Sequence, residues 1–308
     1  MPSRAATAPR RVATRAAIGD LTLAAALWGG LYIVSAAAFA AVPPATLTLL
    51  RLALGAGALL LVGRLRGEAS GWGLAPRRAT LAAAAVAALS MLLQFGGTAL
   101  TSGVEGSVVT MSTPVFVLLF GRLLEGERIA LRAWLGIGLA AAGVLLLAAR
   151  ATEATGAGDG AAHLVGVVAL VGAGATWALF SSLGRPLVAQ IGARRAIALS
   201  GALALPFIVP FAAAELLLVG IDLAAATTPA SIGAILYLGL GATALGWSAW
   251  YRGYAAAPPR VSAGVLFLQP LVSALLGIGV LGAPVDAAFA VGSLLLLGGV
   301  AAIARVAP

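Results

Sequence analysis

The chain has 308 residues, of which 61% are hydrophobic and only 9% charged, with a mean hydropathy of +1.07. Soluble globular domains carry about a quarter charged residues, so a water-soluble enzyme and a disordered chain are both excluded. Nineteen arginines, no lysine and ten acids give a net charge of +9, yet nucleic-acid binding needs a solvated basic surface that such a chain does not offer.

A spanning helix needs about 20 mostly apolar residues. In chain order the sequence offers such runs at 20–40, 45–63, 79–100, 104–122, 130–149, 163–183, 196–219, 230–251, 261–281 and 286–304. They are continuous rather than alternating, which excludes barrel strands. The expected fold class is all-α integral membrane, with ten transmembrane helices. Residues 1–19 form a basic tail with Arg4, Arg10, Arg11 and Arg15, expected to be cytoplasmic and to precede an uncleaved first helix. Prolines mark the joints (Pro43-Pro44, Pro76, Pro229, Pro258-Pro259, Pro284). The Gly-rich, acidic stretch within 151–162 reads as an external linker between residues 20–150 and residues 163–305.

Placing the N-terminus in the cytoplasm puts seventeen of the nineteen arginines on that face, against four acids. The other face then holds Arg150 and six acids, Glu105, Glu153, Asp159, Glu215, Asp222 and Asp286, and Arg51 stays within a span. A miscounted span would scramble this segregation. Both termini are therefore expected in the cytoplasm, with the protein integral to the plasma membrane.

An internal repeat supports the same count. An offset of 156 pairs Pro114 with Pro270, Gly136 with Gly292, Gly143 with Gly299 and Ala99 with Ala255, and an offset of 149 pairs Trp28 with Trp177. Five spans per half make the second copy upside down. Arginines change sides accordingly: the charged loop Arg122–Arg132 matches Ile278–Ala288, which has a single acid. Trp28-Gly29, Arg51, the Ala99…Pro114 hairpin and Ala255…Pro270 make the chain resemble the EamA-type members of the drug/metabolite transporter superfamily, over residues 20–305. One departure stands out: Ser200 occupies the place matching Arg51, so the halves are not equivalent there.

Inverted-repeat transporters bind substrate near the midplane, between the halves, so polar and aromatic residues inside spans are the candidates. They are Trp28 and Tyr32 on the first span, Gln94 and Thr98 on the third, Trp177 and Ser181 on the sixth, Trp247 on the eighth and Gln269 on the ninth. Against this stands interfacial placement for the aromatic residues and bonding to their own helix for the hydroxyls. Pro114 and Pro270 are expected to bend the fourth and ninth helices. Arg51 has two readings: an electrostatic anchor or gate partner of Glu105, or a side chain that snorkels outward. Glu105 is either a proton carrier or an acid favoured in the first turn of its helix. His163 is expected at the membrane interface.

The resemblance implies a secondary transporter exporting small metabolites, such as amino acids or toxic amphiphiles, by alternating access. A cavity of aromatic rings, hydroxyls and amides with little fixed charge suits neutral or zwitterionic substrates better than polyanions. A channel-like pore or a non-transport scaffold is the alternative. Neither a Walker loop nor a lysine to grip phosphate is present, so ATP is not the direct drive. With no cysteine, one histidine and no acid pair inside a span, no enzyme activity, cofactor or metal is expected. The expected partners are a small-molecule substrate and the lipid bilayer, not nucleic acid; protons and a second copy of the chain stay open.

Overall fold

The computed structural model describes residues 15–67, 77–125, 130–154, 157–257, 265–282 and 285–306. Among these the regular structure is entirely helical, in the order α1 (Arg15–Ala38), α2 (Pro44–Leu65), α3 (Arg77–Leu100), α4 (Gly103–Val109), a 3₁₀ turn (Thr110–Ser112), α5 (Thr113–Glu125), α6 (Leu131–Ala154), α7 (Ala157–Ile191), α8 (Ala193–Leu218), α9 (Leu223–Ala226), α10 (Pro229–Leu236), a π-helix (Tyr237–Leu245), α11 (Gly246–Ala256), α12 (Leu268–Leu281) and α13 (Ala287–Val306). Six helical stretches among the described residues are long and apolar enough to cross a membrane: α1, α2, α3, α7, α8 and the continuous run from α10 through α11. Shorter apolar helices lie at Leu131–Leu147, Leu268–Gly279 and Ala287–Ile303. The tail residues Arg4, Arg10 and Arg11, the loop residues Glu68, Pro76, Glu127 and Arg128, and the 258–264 joint with Pro258, Pro259, Arg260 and Ser262 lie outside the described residues, as does Pro284. The helices reach into the expected 151–162 connector from both sides, α6 to Ala154 and α7 from Ala157.

Helix ends follow local chemistry. Pro44 opens α2, where its missing N–H costs nothing. Glu215, near the end of α8, then supplies acceptors for the next two N–H groups: Ala45 N donates to Oε1 at 3.1 Å and Thr46 N to Oε2 at 2.8 Å. Asp286 accepts from Phe289 N at 2.7 Å to start α13. Between α7 and α8 the chain turns on Gly192 alone, whose φ of 81° is the left-handed region that favours glycine.

Small residues set the packing. With no hydrophobic drive between helices in lipid, close backbone approach through glycine supplies dispersion contact instead. On α6 and α13 the seam is double: a β-carbon at Gly143 would stand 2.6 Å from the Gly292 carbonyl oxygen, and one at Gly299 2.5 Å from that of Gly136. Position rises along one helix as it falls along the other, so the pair is antiparallel. Gly97 of α3 packs on Gly166 and Leu170 of α7, while Gly253 of α11 packs on Ala17 and Leu21 of α1. α2 lies along α8 on one side and the π-helix on another. The largest buried cluster joins α1, α2, α3, α8 and the π-helix to α11, with Leu21 just outside it and Phe95, Leu52, Ile208 and Trp247 within.

Two breaks interrupt otherwise continuous helices. Pro114 has no N–H for the Thr110 carbonyl, and the Thr113 hydroxyl donates to that carbonyl instead, at 2.7 Å. The chain narrows to 3₁₀ geometry just before it. Pro270 likewise stands in the first turn of α12, immediately after a turn at Phe267. The third irregularity is the wide π-helix, rich in small residues (Gly239, Gly241, Ala242), where Gly239 and Gly55 let it approach α2 closely.

Candidate functional site: a donor-lined cavity around a buried arginine

A cavity of about 90 Å³, room for a few waters or a small organic group, opens between the two halves of the chain. Its walls come from α1 (Trp28, Leu31, Tyr32), α2 (Arg51), α3 (Ser90, Met91, Gln94), the 3₁₀ break and α5 (Thr110, Met111, Thr113, Pro114), α7 (Ala173, Gly174, Trp177), α11 (Trp247, Trp250), the first turn of α12 (Gln269) and Leu266 just before it. Of the residues singled out from sequence, Trp28, Tyr32, Arg51, Gln94, Pro114, Trp177, Trp247 and Gln269 share it. Thr98, Ser181, Glu105 and Pro270 are not among the lining residues. The Thr98 hydroxyl donates to the Gln94 carbonyl and lies against Gly106; the Ser181 hydroxyl donates to the Trp177 carbonyl. Both are spent on helix and packing contacts.

Arg51 is 3% exposed and points inward, so it does not snorkel. Nor does it pair with Glu105. Its Nε–H donates to the Thr243 hydroxyl at 2.9 Å, its Nη1–H reaches Gln94 Oε1 at a long 3.5 Å, and its guanidinium lies 5.0 Å from the centre of the Phe95 ring. Among the described residues no carboxylate is within ion-pair distance of it. Thr243 in turn donates to the Leu238 carbonyl at 2.7 Å, five residues back in the π-helix.

The network is directional. Gln94 Nε2 donates to the Tyr32 hydroxyl at 2.7 Å. Thr110 donates its own proton to the Gly106 carbonyl at 2.8 Å, so the Tyr32 hydroxyl is the donor in its 2.6 Å contact with Thr110. Every proton runs away from Arg51, which ties α1, α2, α3, the 3₁₀ turn and the π-helix together. Five N–H bonds on a guanidinium, two of them used, leave three without a partner among the described residues.

Aromatic rings form the rest of the wall. Trp28 and Trp250 stand 5.3 Å apart, Trp177 and Trp247 5.8 Å, and Trp28 meets Trp177 edge-on at 6.4 Å. Trp28 is anchored by its Nε1–H, which donates to the Ala242 carbonyl of the π-helix at 3.0 Å. Trp177 Nε1, Trp247 Nε1 and the Gln269 amide have no hydrogen-bond partner among the described residues. The cavity is thus rich in unspent donors and poor in fixed negative charge.

Sequence reasoning missed three features. Met91 and Ser90 are lining residues that sequence reasoning did not single out, whereas Thr110 was legible as part of a polar face on the fourth span and Trp250 as the repeat partner of Gln94. The partner of His163 was not foreseen: its Nε2 lies 2.9 Å from Glu105 Oε2, and Glu105 is 2% exposed. Asp20, in the second turn of α1, accepts from Arg252 at both its oxygens, at 2.7 and 3.1 Å, and so ties α1 to α11.

A bundle of apolar helices around a polar, tryptophan-walled cavity defines an integral membrane protein built for transport. The chain belongs to the EamA-like transporter family, whose model matches it twice, over residues 17–149 and 164–305. It is similar to an uncharacterised transporter of Archaeoglobus fulgidus, 27% identical over 71% of this chain and 74% of that one. It also resembles an uncharacterised protein of Pseudomonas aeruginosa, 31% identical over 64% of this chain and 63% of that protein. A solved crystal structure superposes with a TM-score of 0.65 at 20% identity, covering 93% of this chain and 96% of the other, a likeness of fold.

Proposed function

We propose that the protein is a ten-span secondary carrier in the plasma membrane, with both termini cytoplasmic, that exports small carboxylate-bearing metabolites such as amino acids by alternating access. The two five-helix halves are inverted copies. Support comes from contacts that repeat under exchange of the halves: Gly97 meets Gly166 and Leu170 as Gly253 meets Ala17 and Leu21, at the offsets of 156 and 149. The Gly136–Gly299 and Gly143–Gly292 contacts likewise map onto each other. An antiparallel pairing of equivalent helices is what an inverted repeat requires.

The observation that carries the substrate class is the buried Arg51 with no carboxylate beside it among the described residues. Burying a cation is costly unless an anion meets it, and a substrate carboxylate is a fitting occupant. The free indole and amide donors extend the same preference for acceptors. The tryptophan faces give an apolar bed for a side chain and accept a zwitterion's ammonium by cation–π attraction, worth about 0.5–2 kcal/mol. One fixed positive charge suits a monocarboxylate and leaves a polyanion unmatched.

A substrate screen tests this. Labelled amino acids, aromatic carboxylates and their amides are offered to proteoliposomes containing the wild type or Arg51→Met. Uptake of at least one carboxylate, lost in the variant and absent for its amide, is expected. Equal transport of a carboxylate and its amide, unchanged in Arg51→Met, would remove Arg51 from the substrate site.

A further inference from the structure

The cavity holds both members of several residue pairs that the internal repeat relates. Trp28 and Trp177, matched at the offset of 149, meet each other edge-on with ring centres 6.4 Å apart. In a chain of inverted copies, two equivalent residues touch only where the axis relating the halves passes, here between these two rings. The offset of 156 adds Met91 with Trp247, Gln94 with Trp250 and Thr110 with Leu266, all of them lining residues. Partners in such a pair stand across the axis from each other. Whatever differs within the pairs therefore differs between two facing walls.

The difference has one direction. On the first-half wall the Gln94 amide and the Thr110 hydroxyl are joined through Tyr32, and Gln94 is reached by Arg51. Facing them are the Trp250 indole and the Leu266 side chain, with Trp247 where the first half has Met91. The counterparts of Tyr32 and Arg51 are Ser181 and Ser200, and neither is among the lining residues. Trp247, Trp250 and Leu266 belong to one apolar cluster with Trp28 and Trp177. Gln269 departs from the pattern: it matches Thr113 and brings an amide to the second-half side. The apolar wall is therefore the surface of Trp247, Trp250 and Leu266.

We infer that the cavity takes its ligand head to tail across this axis, with a single carboxylate on the Arg51–Gln94 wall and an apolar tail on the Trp247–Trp250–Leu266 wall, and that Leu266 selects the tail. This rests on the carrier reading above, in which the halves are inverted copies, and narrows its substrate class to monocarboxylates with apolar tails.

The chemistry of the two walls gives the reason. Arg51 keeps N–H groups without a partner among the described residues, so the charged end of a ligand is matched there and nowhere on the facing wall. A hydroxyl or amide tail laid against ring faces and the Leu266 methyl groups loses its water without a hydrogen bond in return. An alkyl or aryl tail of the same shape loses nothing and gains dispersion contact. Leu266 differs from its tryptophan neighbours in carrying neither donor nor acceptor on its side chain, which makes it the sharpest filter against a polar tail.

Two pairs of probes have nearly equal shape and differ only in the tail: leucine with asparagine, and 4-methylpentanoate with succinamate. Binding to the full chain in nanodiscs is read by the change in tryptophan emission. The apolar member of a pair is expected to bind at least about 10-fold tighter than the polar one. Leu266→Thr, which installs the side chain of the repeat partner, is expected to cut that ratio at least about threefold with helicity retained. Arg51→Met is expected to weaken both members alike and leave the ratio as it was. Equal binding within the pairs in the wild type overturns the inference. So does a ratio unaltered in Leu266→Thr, leucinamide bound as tightly as leucine, or no binding by any probe. Should Leu266→Thr not fold, Leu266→Asn and the wild-type ratio decide. Probes bound with the expected ratio but without counterflow sink the carrier reading and leave the two walls standing.

Discussion

Replacing Arg51 by methionine separates a functional arginine from a structural one. In the native chain the guanidinium gains two charge-assisted hydrogen bonds, to Thr243 and, loosely, to Gln94, and one ring contact with Phe95. Such bonds are worth about 1.5–3 kcal/mol each and the ring contact about 0.5–2 kcal/mol. Against them stands a desolvation cost of several kcal/mol for a cation with no anion beside it. The terms nearly cancel. Methionine fills a similar volume with no charge, and its arrival strands little: Thr243 keeps its bond to Leu238, and Gln94 keeps Tyr32. The melting temperature, read by intrinsic fluorescence in detergent, is therefore expected to change by less than about 3 °C, or to rise. Binding of a carboxylate substrate, by contrast, loses one charge-assisted contact of about 1.5–3 kcal/mol, roughly a 10- to 100-fold weakening. A fall in melting temperature of more than about 5 °C with transport intact would refute the reasoning and make Arg51 a structural strut.

Three other outcomes are expected. Gly299→Ala sets a β-carbon 2.5 Å from the Gly136 carbonyl and the Ala140 nitrogen and should destabilise by about 1–3 kcal/mol, whereas Gly138→Ala, with open space around it, should be neutral; thermal melts of the pair check this. Glu215→Ala leaves the Ala45 and Thr46 N–H groups without their acceptors and should cost about 1–3 kcal/mol, with faster proteolysis near Pro43-Pro44 if the α2 start loosens. Gln269→Leu removes an amide that no described residue engages, so it should leave the melting temperature within about 1 °C while lowering transport; unchanged transport would take Gln269 out of the site.

Apolar run length was enough to find the six helical stretches that are long and apolar enough to cross a membrane among the described residues, because lipid forces every backbone bond inside a helix and so demands long continuous runs. The seam glycines were legible too, as matched offsets, and the structure gives their reason: Gly136 and Gly143 face Gly299 and Gly292. Helical spacing was less decisive for the site. Gln94 and Thr98 share a face by the i, i+4 rule, but α4 covers Thr98 through Gly106 while Gln94 meets the cavity. Spacing along one helix says nothing of which neighbour lies over which turn. The inward turn of Arg51 depended on acceptors 43 and 192 residues away, and the Glu105–His163 pair on a contact across 58. The π-helix had no period to announce it beyond the cluster of Gly239, Gly241 and Ala242.

Counterflow in proteoliposomes tests the carrier most directly. Vesicles loaded with an excess of an unlabelled amino acid are diluted into a trace of the same compound labelled, and internal label is followed in time. A carrier whose one cavity faces each side in turn predicts a transient overshoot above the external concentration, saturable in wild type and lost in Arg51→Met. Label that enters only to equilibrium, in proportion to its concentration and equally in both proteins, would contradict the account and describe a pore.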